Sequence, residues 1–131
     1  MLKLCKLDDI PDGEARGFCV EGPNLAQRLM IIRQGATALG YVDYCPHTGS
    51  RLDPGRNTFM DDDGKHLRCS IHGALFRIQS GECIDGPCFG DKLHPCPVSI
   101  KNGEIYLERD NVKIVDELTQ WMSDLEPKDS E

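Results

Sequence analysis

Cys45-Pro46-His47-Thr48-Gly49-Ser50-Arg51-Leu52-Asp53 and Cys69-Ser70-Ile71-His72-Gly73-Ala74-Leu75-Phe76 are the two stretches that decide how this chain folds. Each opens with one cysteine and one histidine, spaced Cys-x-His and Cys-x-x-His, so that both side chains can reach inward from a single loop. With 21 residues between His47 and Cys69, the loops offer Cys45, His47, Cys69 and His72 from opposite sides of a common point. Gly49 and Gly73 follow the histidines at two and one positions, where a missing Cβ lets the backbone turn sharply and aim amide N–H groups at that point.

Two metal chemistries suit such a set. A Cys₂His₂ tetrahedron is a common structural zinc site. Zinc fingers, however, usually pair cysteine with cysteine and histidine with histidine, whereas here each loop carries one of each. A [2Fe–2S] centre with two cysteines on one iron and two histidines on the other fits two loops straddling a cluster. The spacing favours iron–sulfur, with zinc as the competing reading.

The residues around the ligands resemble the Rieske family. Cys45 to Asp53 is similar to its first cluster loop and Cys69 to Phe76 to its second. Gly86-Pro87 and the loop after it resemble the proline-containing loop over the cluster's third side, and the likeness runs on through Pro97-Val98 and Asn102-Gly103. The resemblance implies one [2Fe–2S] cluster per chain on Cys45, His47, Cys69 and His72. It implies a Rieske domain over residues 1–110, with cluster loops at about 44–54 and 68–90. Rieske subunits of quinol-oxidising complexes carry a serine and a tyrosine whose hydroxyls bond to the cluster, and a disulfide between the loops. The matching positions here are Ala74 and Phe76, and Ser50 and Ile71. None of these supplies either device, so a potential at the low end of the Rieske range is expected. The likeness is to the Rieske-type ferredoxin branch, which carries single electrons from a flavin reductase to a terminal oxygenase. The ring edges of His47 and His72 that do not face iron would be the electron exit.

Working outward, short β-rich runs alternate with turn formers. Leu2–Leu7 and Gly17–Val20 flank the turn-rich 8–16. Arg28–Arg33 and Ala36–Tyr44 meet at Gln34-Gly35, Thr58 and Cys69 bound a hairpin turning at Asp62-Asp63-Gly64, and Leu75–Ile78 and Glu82–Ile84 flank Gln79-Ser80-Gly81. Pro97–Lys101 and Glu104–Glu108 across Asn102-Gly103 make the clearest hairpin, since Asn-Gly suits the positive φ that tight turns demand. The fold class is all-β, a Rieske-type antiparallel β-sandwich or barrel with a two-loop cluster-binding subdomain. In the tail, Val112, Val115, Leu118, Met122 and Leu125 fall three and four apart, one stripe of a C-terminal α-helix over 111–125 with Trp121 at its margin; residues after Pro127 are expected to be disordered.

Bulk properties agree. A chain of 131 residues with 39% hydrophobic and 28% charged side chains holds one domain. A net charge of −7 opposes nucleic-acid binding and suits either plain solubility or docking to a basic partner surface. No apolar run approaches the ~20 residues of a membrane span, and no signal peptide is recognisable, so a cytoplasmic monomer or weak dimer is expected. Seven cysteines do not make a disulfide framework. Cys83, Cys88 and Cys96 lack a histidine at matching spacing and read as small buried thiols, His66 as a structural strand residue, and His94 as an exposed loop residue. A complete oxygenase would need a second domain with its own iron site, for which the chain is too short. A small Rieske subunit of a nitrite-reductase-like complex and a zinc-stabilised binding module remain as alternatives to the electron carrier, which is itself a non-catalytic component of an oxidoreductase system.

Overall fold

The computed structural model describes residues 1–23, 25–44, 60, 64–69, 73–86 and 90–115. Strands β1 (Leu2–Lys6), β2 (Ala15–Gly22), β3 (Leu25–Gln34), β4 (Thr37–Val42), β5 (His66–Arg68), β6 (Leu75–Arg77), β7 (Cys83–Asp85), β8 (Val98–Lys101), β9 (Glu104–Leu107) and β10 (Lys113–Val115) follow in order, with one 3-10 turn at Leu7–Asp9. They make three sheets, ordered β1-β9-β8, β10-β2-β3-β4 and β5-β6-β7, and every ladder among them is antiparallel.

The four-stranded sheet is the middle layer. Successive side chains on a strand point to opposite faces, and β3 sorts its residues accordingly. Leu29 and Ile31 join Phe18, Val20, Leu4, Ile105 and Leu107 in a core shared with the β1-β9-β8 sheet. Met30 and Ile32 join Ala15, Tyr41, Leu67, Cys69, Phe76 and Leu93 in a second core shared with β5-β6-β7. The Leu-Met-Ile-Ile run at 29–32 is continuous rather than alternating because both faces are covered, and all four residues are wholly buried.

The expected hairpins at Gln34-Gly35, Gln79-Ser80-Gly81 and Asn102-Gly103 are present. β3 and β4 turn through Gly35, and β8 and β9 turn through Asn102 and Gly103, whose φ angles of 52° and 74° are those of a tight primed turn. Between Thr58 and Cys69 the described part is β5 and a bridge from Met60 to Leu67; residues 61–63 lie outside the described set.

The tail requires a correction. Lys113-Ile114-Val115 is a strand, not the opening of a helix: it pairs with Glu21-Val20-Cys19 of β2. Two of the three residues are β-branched, and an available row of β2 backbone groups outweighs a weak helical stripe. The rest of the expected helix, from residue 116 through Trp121 and Leu125, lies outside the described residues.

Candidate metal centre

Three described segments lead towards the expected ligand positions. The first leaves β4. Val42 donates its amide N–H to the carbonyl of His94 at 2.9 Å, and Asp43 donates to the carbonyl of Arg28 at 2.8 Å. Tyr44, about half exposed, then leads into the first ligand loop. Cys45 and His47 lie outside the described residues. His94 is exposed, and its backbone braces the strand that feeds the loop.

The second segment leaves β5. Cys69 is fully buried, its N–H donating to the carbonyl of Ala74 and its carbonyl accepting from the N–H of Gly73, both at 2.9 Å. These bonds tie Cys69 to Gly73 and Ala74. Gly73 sits at φ 71°, in the left-handed region where a side chain is strained. Ser70, Ile71 and His72 lie outside the described residues. Of the four expected ligands the structure thus places Cys69, at the floor of the core that joins the two sheets.

The third segment leaves β7. The Cys83 thiol donates to the Asp85 carbonyl at 3.3 Å, and Gly86 comes next, against the second loop. A Cβ on Gly86 would stand 2.9 Å from the Cα of Ala74, so only glycine allows this approach. Pro87 and Cys88 lie outside the described residues. Ala74 and Phe76 are buried at this junction, and a methyl and a phenyl group donate no hydrogen bond.

The remaining candidates separate. Cys83 belongs to the core shared with β5-β6-β7 and Cys96 to the core on the opposite face of the middle sheet, so they do not form a second metal site together. Burial pushes the Cys96 thiol above its ordinary pKa, with Arg109 pulling weakly the other way, and burial does the same to Cys5. His66 is a half-buried member of β5 opposite Arg77. No sequence motif pointed to Arg28 and Asp43, the only charged side chains that are buried among the described residues. A lone arginine ahead of Leu-Met-Ile-Ile, and an aspartate two positions before a ligand cysteine, were the signals for them.

Two cysteines and two histidines are the donor chemistry of a Rieske-type cluster; of these, Cys69 is buried in the core shared with β5-β6-β7, and Gly86 packs against Ala74 beside it.

Known proteins bear on the same segments. Residues 1–105 match the Rieske [2Fe-2S] domain. The ferredoxin component of naphthalene 1,2-dioxygenase/salicylate 5-hydroxylase systems from Ralstonia sp. is 26% identical over 102 residues, 78% of this chain and 88% of that protein. The biphenyl dioxygenase ferredoxin subunit of Pseudomonas sp. (strain KKS102) is 24% identical over 106 residues, 81% of this chain and 89% of that one. Among solved structures, a chain in the complex of reduced oxygenase and oxidized ferredoxin in carbazole 1,9a-dioxygenase superposes with a TM-score of 0.65 at 27% identity, covering 81% of this chain and 90% of that one.

Proposed function

Because the chain belongs to the Rieske [2Fe-2S] domain family, we propose that it is a soluble one-electron carrier, taking electrons from a flavin reductase and delivering them to a terminal oxygenase or similar oxidoreductase. The observation that carries this reading is that its similarity to two dioxygenase ferredoxins spans most of their length.

Cys45, His47, Cys69 and His72 would hold the cluster, which when bound accepts and releases a single electron. The protein sets how readily it does so. Two thiolates and two neutral imidazoles leave less negative charge around the irons than four thiolates do, which raises the potential above that of plant-type ferredoxins. Ala74 and Phe76 then offer no hydroxyl to favour the reduced state. Cys69 is shielded from water, and Gly86 lets the third segment approach Ala74 closely. The domain is assigned to residues 1–110. Unbridged thiols at Cys5 and Cys96 suit a reducing compartment, which supports a cytoplasmic location.

A redox titration followed by EPR tests the proposal. The expected result is a reversible one-electron Rieske signal near the low end of the family range, about −150 mV. A potential well above zero would refute the role given to Ala74 and Phe76. A colourless protein with one zinc per chain would overturn the carrier reading altogether.

A further inference from the structure

Among the described residues, two charged side chains, Arg28 and Asp43, are buried. Arg28 occupies the β3 position that alternation puts on the same face as Met30 and Ile32, and it is 5% exposed. Asp43, just past β4, is 1% exposed. The guanidinium Nε lies 3.5 Å from a carboxylate oxygen of Asp43, and the Asp43 amide donates to the Arg28 carbonyl. The two residues are therefore joined twice, through backbone and through charge. Gly17, on β2 opposite Met30, leaves the space the guanidinium fills: a Cβ there would stand 2.8 Å from Nε and 3.0 Å from Cζ, and would overlap the terminal nitrogen.

Burying two charges carries a heavy desolvation cost, and well-packed apolar residues often serve stability as well or better. This pair stands two peptide units before Cys45, so whatever fixes Asp43 fixes the root of the first ligand loop to within two residues. We propose that Arg28, seated over Gly17 and paired with Asp43, is a positioning residue that sets the first cluster loop and thereby the geometry of the Cys45 and His47 side of the cluster. The inference rests on the proposed cluster assignment. Outer groups that orient ligands affect metal affinity by about 10- to 100-fold, and a pair that anchors a ligand loop acts in the same way.

Gly17→Ala is the sharpest probe. It keeps every charge and displaces only the end of a flexible side chain, so the sheet tolerates it while the guanidinium must move. The measurement is made on the full-length cluster-loaded protein: EPR line shape, midpoint potential, and the rate of cluster loss to a chelator, beside the thermal midpoint of the same samples. Gly17→Ala should broaden the EPR lines, shift the potential and speed cluster loss by about 10-fold, and should lower the thermal midpoint because the buried pair is disturbed. The double variant Arg28→Met/Asp43→Leu guards against misfolding: it should fold and show the same altered cluster signature, while Arg28→Lys should recover part of the wild-type signal. Wild-type line shape, potential and cluster lifetime in Gly17→Ala would overturn the inference while leaving the cluster assignment standing. A wild-type protein that holds no [2Fe–2S] cluster would overturn the assignment itself, and this inference with it.

Discussion

The middle sheet and the β5-β6-β7 sheet meet in one core yet are built on different principles. β2, β3 and β4 contribute eight, ten and six residues, in continuous ladders with both faces covered. β5, β6 and β7 contribute three residues each, with an irregular register between Leu75 and Phe76. Strands that short do not offset the conformational entropy of ordering their loops. The small sheet borrows its order instead, from Leu67, Phe76 and Leu93 in the shared core and from the Tyr41 hydroxyl, which donates to the Ile78 carbonyl at 2.6 Å. The region proposed to hold the cluster is thus built on three-residue strands among the described residues. It is also the one a bound cluster has most to stabilise.

That contrast can be broken from either side, and the largest effect should come from the cluster side. Cys69→Ala should abolish cluster absorbance and the EPR signal while the far-ultraviolet β signature of the middle sheet persists. Loss of all β structure in that variant would show that the scaffold does not stand alone. From the scaffold side, Ile31→Ala removes a fully buried side chain from the other core and should cost about 2–5 kcal/mol of stability in chemical denaturation. The cluster spectrum should hold its shape up to the unfolding transition. A spectrum altered in the native baseline would mean that the two cores are more tightly coupled than their separation implies.

The smallest effect is alkaline. Burial raises the pKa of Cys5, Tyr41 and Cys96, so all three are favoured in their neutral, protonated forms when folded. The stability this contributes is full below the ordinary thiol value of 9.0 and is lost as pH rises through the higher folded values. Denaturation midpoints should therefore be flat through neutral pH and fall from about pH 9 upward. The fall should be shallower in Cys5→Ala/Cys96→Ala, and an equal fall in that variant would place the alkaline sensitivity elsewhere.

Local chemistry wrote the legible part of the fold. Asn102-Gly103, Gln34-Gly35 and Gln79-Ser80-Gly81 need backbone angles that few residues supply, so their hairpins could be read from short stretches of sequence. What could not be read was pairing at a distance. β1 lies against β9 across nearly the whole chain, from Leu2 opposite Leu107 to Lys6 opposite Glu104, and nothing within either segment announces the other. The same blindness made the tail look helical, because the backbone row of β2 that captures Lys113–Val115 lies some ninety residues away. Within the site, the ligand motifs, Gly73 and the Gly86 segment were visible. Arg28, Asp43 and Gly17 were not, because their importance arises only when three strands bring them side by side.

β10 has a consequence for how copies of this protein behave in concentrated solution. It caps the outer side of β2, whose Phe18 and Val20 belong to the core shared with β1-β9-β8, and it is short and headed by exposed Lys113. Short, lysine-bearing outer strands are how sheets avoid templating further strands. In this chain three residues beyond the family match guard the longest ladder among the described residues against edge-to-edge aggregation.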